Sequence, residues 1–303
     1  MRKFLIRSAV YLVILLLIAN GLAALASYSL RHSAFYKSTF LVHSFDEGTR
    51  FDYFLLGSSR GLTTLDTHLA DSLMETNGIN LSMDDTDLKS QLLMMRHFFS
   101  SGYKADVCVL VLDKAHFEKT SGKLGNNDYR FAPFAARDYV YQHFMKYEEG
   151  TVKPLAYSAW LPFLSFSYYN LELAIPSLLT ALKPERRNRF DERGNYTYPV
   201  RKYKEQKADK EEIAEGHITN PRLGEFVALA KENNCRLLFY VAPYQNIHYT
   251  EILSHFPASV INHTGVIKDD SLFFDHLHVN TIGRREATRS FAEAYEKAMA
   301  NGQ

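Results

Sequence analysis

Apolar and polar positions alternate along this chain with three different rhythms. Residues 1–8, MRKFLIRS, carry three cationic side chains, and residues 9–30 then run without a charge. An uninterrupted run of that length is what a helix needs to cross the hydrocarbon core of a bilayer, and cations before it favour retention of that end in the cytoplasm. The pattern predicts an uncleaved anchor over 1–30, with the following domain on the far side of the membrane. The rival is a cleaved signal peptide, for which Ala24-Leu25-Ala26 is a passable cleavage pattern.

From residue 51 the rhythm becomes that of alternating strands and helices. FDYFLLG (51–57) reads as a strand, a helix follows over roughly 62–75, and GINLSM (78–83) reads as a short strand. Residues 85–102 predict a helix with Leu88, Leu92, Met95, Phe98 and Phe99 recurring on one face and Gly102 to end it. ADVCVLVLD (105–113) is nearly continuous in apolar side chains, as suits a parallel strand buried on both faces. The same rhythm resumes near 221, with a helix at 222–234, a strand at 235–243 stopped by Pro243, a helix at 246–255 and a last strand at 271–274. Asn280 can cap a final helix to about 300, with Ala287, Phe291, Tyr295 and Met299 on one face. This order predicts an α/β domain over 31–303 with a mostly parallel sheet.

Between the two halves the rhythm breaks. Residues 114–220 are rich in Tyr, Arg, Lys and Pro and read as a large insertion or cap. Within it, 161–182 is helical and apolar but too polar in places to be read as a second membrane span. The basic run Arg186, Arg187 and Arg189 reads as a solvated face.

Bulk composition narrows the function classes. A formal net charge of +1 leaves no global field for nucleic acid. The two cysteines, Cys108 and Cys235, sit in or beside apolar runs and read as buried thiols, although a single bridge between neighbouring strands stays open. No dinucleotide fingerprint, phosphate loop or metal-ligand spacing occurs, so neither a cofactor nor a metal is expected.

The candidate chemistry lies at two strand ends. Gly57-Ser58-Ser59-Arg60 follows the first strand, and Asp275-His276-Leu277-His278 precedes the last helix. In open α/β sheets, sites gather at the carboxyl ends of strands. A serine hydroxyl needs a base to take its proton, and that base needs a partner to fix its tautomer. Ser59, His278 and Asp275 supply these three roles, with Ser58 as the alternative nucleophile and His276 as the alternative base. A metal site from Asp275, His276 and His278 fits poorly, because residues two apart do not share a helix face. Arg60 is a candidate for an anionic substrate group, against the plainer role of a solvated or salt-bridged turn residue.

On these residues the chain resembles the SGNH (GDSL-like) hydrolase superfamily, whose G-[DS]-S block matches Gly57-Ser58-Ser59 and whose D-x-x-H block matches Asp275 to His278. The likeness covers residues 51–113 and 222–300. It is nearest in form to membrane-anchored members that face the cell envelope, including those of teichoic acid D-alanyl transfer and alginate O-acetylation. The resemblance implies a three-layer α/β/α fold with a flavodoxin-like sheet, Ser59 as nucleophile, His278 as base and Asp275 as its orienter. It also implies a serine esterase or O-acyltransferase, acting on an acylated envelope glycan or a small ester outside the cytoplasmic membrane, with an acyl-donor membrane protein as a candidate partner. The alternative is a catalytically silent module of the same fold that binds glycan or scaffolds a membrane assembly. Two blocks depart from the superfamily: NLSMDD (80–85) has no glycine after Asn80, and the third strand ends in Asp113-Lys114 rather than G-x-N-D. The backbone N–H groups of Ser59 and of Ser82 or Met83 are then the oxyanion-donor candidates, with Asp113 a further substrate-contact candidate.

Overall fold

A computed structural model of the chain describes residues 1–119, 122–201 and 212–300. In chain order the elements are α1 (Arg2–Arg31), α2 (Lys37–Ser44), β1 (Arg50–Leu56), α3 (Ser59–Thr64), α4 (Thr67–Met74), β2 (Gly78–Asn80), α5 (Leu88–Ser100) and β3 (Lys104–Leu112). There follow α6 (Asp138–Tyr147), α7 (Pro154–Tyr157), α8 (Phe163–Tyr168), α9 (Asn170–Leu182), β4 (Glu212–Ile218), α10 (Leu223–Glu232), β5 (Arg236–Val241), β6 (Ile247–Ser254), β7 (Ser259–Asn262) and α11 (Thr281–Ala300). They divide into two compact units, one of residues 1–46 with 128–188 and one of 47–127 with 189–303.

The second unit is the α/β domain. Its main sheet has the order β2-β1-β3-β5-β7, and all four pairings are parallel. Counted within that sheet the order is 2-1-3-4-5, a doubly wound arrangement that reverses direction between β1 and β3. Tyr53 and Leu55 of β1 join Val107, Val109 and Val111 of β3 in a cluster closed by Ala70 of α4 and by Phe291 and Tyr295 of α11. On β1's other face, Phe54 stacks on Phe98 of α5 at 4.3 Å between ring centres. Strands buried on both faces explain the continuous apolar runs of the sequence. Cys108 and Cys235 are buried free thiols, so the open possibility of a bridge is not realised.

Several sequence expectations need correction. The helix expected over 62–75 is two helices, because Asp66 accepts from the N–H of His68 and starts α4 afresh. The second strand stops at Asn80 rather than running to 83. Residues 246–255 are not a helix: β6 pairs in parallel with β4 in a separate two-stranded sheet. The partner strand, EIAEGHI, is too polar to read as one, and without it the Tyr249-Thr250-Glu251-Ile252 pattern is ambiguous. The last strand of the main sheet is β7, not 271–274. Residues 270–272 form a 3-10 turn, and Phe273 packs with Ile267, Val279 and Ala287 instead of extending the sheet.

The insertion is also bounded differently. Residues 114–119, 122–127, 189–201 and 212–220 cluster with the sheet, whereas 128–188 cluster with the N-terminal segment, so the α/β unit starts at Glu47 rather than at 31. Residues 202–211 of the insertion lie outside the described residues. The physical reason is that the central helices find their partner in α1. Asn20 Oδ1 accepts from the N–H of Phe163, and Ser29 Oγ donates to the carbonyl of Ser177. α1 itself is one helix, long and apolar enough to cross a membrane.

Candidate active site

Because every pairing in the main sheet is parallel, Gly57, Leu81, Asp113, Ala242 and His263 all emerge at one edge. Ser59 leaves this edge as the first residue of α3, directly at the point where the strand order reverses. Two glycines allow that close return. A Cβ on Gly57 would lie 2.9 Å from Val111 Cβ, and one on Gly61 would lie 2.6 Å from Ser82 Oγ. Buried Asn80 then pins α3 by donating from Nδ2 to the carbonyl of Gly61 at 3.0 Å. Ser58 fixes the turn from the other side. Its hydroxyl donates to Asp113 Oδ2 at 2.6 Å and accepts from the N–H of Arg60 at 3.3 Å.

Ser59 Oγ lies 2.8 Å from His278 Nε2. His278 Nδ1 lies 2.9 Å and 3.0 Å from the two carboxylate oxygens of Asp275. The loop that carries both residues is closed on itself: Asp275 Oδ1 also accepts from the N–H groups of Leu277 and His278, and the N–H of Phe274 donates to the His278 carbonyl. Burial pushes the Asp275 carboxyl up, but hydrogen bonds from the His278 ring and from two N–H groups outweigh it and hold its pKa at about 2. An ionised Asp275 accepts, so Nδ1 carries the ring hydrogen and Nε2 presents its lone pair to the Ser59 hydroxyl. Asn280 caps α11 as expected. It also donates from Nδ2 to the Ser271 carbonyl and so secures the start of the same loop.

The candidates read from sequence separate clearly here. Ser59, His278 and Asp275 come together. Ser58 turns away to Asp113, and His276 is exposed. Arg60 is neither solvated nor free for a substrate anion. Its guanidinium is buried 3.3 Å over the Tyr244 ring centre, donates to the carbonyls of Ala242 and Pro243, and lies 3.4 Å from Asp113. Asp113 is an acceptor paired with Arg60, so it offers nothing to an oxyanion. The N–H of Ser82 is taken by Asn80 Oδ1 and that of Met83 by the Gly57 carbonyl. Both are therefore corrected as oxyanion donors. The N–H of Ser59, at the first helical position, has no acceptor among the described residues and is the remaining candidate.

Sequence reasoning missed Tyr198. Its ring meets His278 edge-on at 5.2 Å and stacks on Phe274 at 4.3 Å. Arg201 covers the other side of Phe274 and donates twice to its carbonyl. The layers Arg201, Phe274, Tyr198 and His278 brace the imidazole. Tyr198 lies in the irregular insertion, where no periodicity marks it.

Two clefts meet at Ser59. The larger, about 820 Å³, also borders His278 and is walled by Phe117, Tyr244 and Tyr249, with the Lys114–Glu212 ion pair at its side. Glu212, Ala214, Gly216, Ile247 and Tyr249 of the two-stranded sheet form much of its wall. The smaller, about 380 Å³, is lined by Asp85, Thr86, Asp87 and Asn126 and shares Ser58, Ser59 and Asp113 with the first. Asp85 there holds a left-handed backbone conformation, φ 52°, of the kind that collects at functional sites. No protein-family model and no curated protein matches this sequence.

Proposed function

We propose that the protein is a membrane-anchored serine esterase or O-acyltransferase of SGNH type, acting on acyl esters of a cell-envelope glycan. The observation that carries this reading is the continuous relay Ser59–His278–Asp275 at the mouth of an aromatic-walled cleft. His278 takes the Ser59 proton as Oγ attacks the ester carbonyl. The proton is returned to the leaving alcohol, which departs as the acyl-serine forms. Water or a sugar hydroxyl then attacks the acyl-serine, again losing its proton to His278. The products are an acid or a new ester, with Ser59 regenerated. Aromatic walls with charges of both signs suit a polyhydroxylated ligand, and two clefts meeting at the nucleophile suit separate donor and acceptor groups. An α1 that spans the cytoplasmic membrane would keep the site on the envelope side, near such glycans and near an acyl-donor membrane protein. The doubly wound sheet with helices on both β1 faces supports the three-layer SGNH reading.

A second reading is a catalytically silent module that binds glycan. It is favoured by one observation, the engagement of the Ser82 and Met83 N–H groups within the chain. Loss of one oxyanion donor costs about 10²–10³ in rate in other serine hydrolases. A fluorophosphonate probe separates the two readings. Applied to the full-length chain in detergent, with the adduct mapped by mass spectrometry, it is expected to label Ser59, to label Ser58→Ala at the same position, and to leave Ser59→Ala unlabelled. A folded wild type that takes no label would favour the binding module.

A further inference from the structure

α9 is built inside out for a water-soluble helix. Only one of its leucines, Leu173, is fully buried; Pro176, Ser177 and Thr180 complete the inward face, and Ser29 of α1 donates to the Ser177 carbonyl at 3.0 Å and sits 3.2 Å from the Thr180 hydroxyl. Its outward residues are Leu171, Ile175, Leu178 and Leu182, between 49% and 84% exposed. At 3.6 residues per turn these four fall within an arc of about 60°. No charge interrupts the strip. Glu172 lies about a quarter-turn away from its centre. Trp160, Leu161 and Tyr168 extend the exposed apolar surface ahead of α9. A soluble helix turns its leucines to the core, whereas helices in lipid pack through small residues and turn leucines out.

The level of this surface is fixed by α1. Residues 8–30 carry no charge, and Arg7 precedes them. A hydrocarbon core of about 30 Å takes about 20 helical residues, so a span that begins after Arg7 reaches to about residue 27. Residues 1–18 of α1 are exposed throughout, and packing on the unit begins only at Ala19. From there the inward face is Ala19, Asn20, Ala23, Ala26, Ser27 and Leu30, and Leu22 and Leu25 point out. Asn20 accepts from the Phe163 N–H at 3.3 Å, which sets the start of α8 at the depth of residue 20. That is about seven residues, roughly 10 Å, inside the hydrocarbon boundary. The bond also gives a polar residue inside the apolar run a reason: a backbone N–H at that depth has no water to meet. Beyond Leu182, the carbonyl of Pro184 accepts from Ala34, just past the end of α1. Exposed Lys183 and Arg186 therefore stand where phosphate headgroups begin.

We infer that residues 160–182 form a second, half-inserted membrane element, packed against the distal half of α1, immersed in the acyl chains of that leaflet through Trp160, Leu161, Leu171 and Ile175, with Leu178 and Leu182 at the boundary with the headgroups. The inference rests on α1 spanning the membrane and is independent of the chemistry at Ser59. It assigns the bilayer as the partner of a surface whose sequence is apolar but too polar in places to be read as a second span.

Trp160 is the chain's single tryptophan, so its emission reports this element alone. The full-length protein is reconstituted into phosphatidylcholine vesicles with or without bromine on the acyl chains, and flotation reports insertion of α1. The expected result is co-flotation with Trp160 emission reduced at least twofold by the brominated lipid. An Ile175→Lys/Leu178→Lys variant is expected to float but to lose most of that quenching. Co-flotation with Trp160 blind to bromine would overturn the inference while leaving the anchor intact. Failure to float would overturn both.

Discussion

His278 is held by three kinds of contact, and each asks something different of the chemistry. Asp275 fixes its tautomer, Ser59 receives its lone pair, and Tyr198 meets the ring edge-on. An edge-to-face ring pair is worth about 0.5–1.5 kcal/mol, enough to bias one ring orientation without touching substrate. Tyr198→Ala should lower kcat of an ester substrate by about 3- to 10-fold with KM little changed, since the energy at stake converts at about 1.4 kcal/mol per decade. Tyr198→Phe keeps the ring and should restore the rate. A rise in KM with kcat intact would instead make Tyr198 a substrate contact. The residues that carry charge or a hydroxyl at strand ends were legible in the sequence because their chemistry is rare there and their order fits a relay. Tyr198 was not, because an aromatic in a Tyr-rich insertion has nothing to distinguish it before its neighbours are known. Arg60 as a salt-bridged turn residue was legible, and it pairs with Asp113; the engagement of the Ser82 and Met83 N–H groups and of the rest of the Arg60 guanidinium was not, for a related reason. Which N–H or guanidinium is already spent depends on bonds to Asn80, Gly57, Ala242 and Pro243 that spacing does not reveal.

At the scale of elements, the position of Ser59 depends on how closely α3 approaches β3. Ser82 Oγ is buried, has no partner among the described residues, and is the atom a Cβ on Gly61 would strike first. Overpacking of this kind costs about 1–3 kcal/mol, against which Ala in place of a helical Gly returns up to about 1 kcal/mol. Gly61→Ala alone should destabilise the protein and reduce labelling of Ser59. Adding Ser82→Ala removes the nearest atom, so the double variant should recover most of the lost stability, measured as a denaturation midpoint. Additive losses would show that the contacts left in place, 3.2 Å to the residue-82 Cβ and 3.3 Å to Val111 Cβ, and not the Ser82 hydroxyl, set the limit. The same scale explains which elements the sequence disclosed. β1, β3 and β5 are apolar over most of their length because they are buried on both faces. β4 and β6 have only each other in their sheet and face a cleft on one side. Their mixed polarity therefore carries no clear period, and β6 reads as a helix. β7 is only Ser259–Asn262, too short to outvote the louder Leu272-Phe273-Phe274.

At the scale of the whole molecule, the chain's two units are interleaved in sequence: the N-terminal segment and residues 128–188 make one, and the α/β domain the other. Alternating strands and helices revealed the second unit, since each element there answers to its sequence neighbours. The first was hidden because its principal contact joins α1 to helices more than a hundred residues later, and nothing in 161–182 names its partner. That dependence has a measurable consequence. Removing residues 1–30 takes away Asn20 and Ser29, and with them the acceptor for the Phe163 N–H and the donor to Ser177. It also uncovers Ser177 and Thr180, now buried beside Ser29. Local opening is governed by buried contacts of this kind. In detergent, chymotrypsin should therefore cut the truncated chain within 160–182 at least about tenfold faster than the full chain, a change equivalent to roughly 1.4 kcal/mol of local stability. Equal cleavage rates would mean that α8 and α9 hold together without α1, and the N-terminal helix would then be a tether alone rather than the structural centre of its unit.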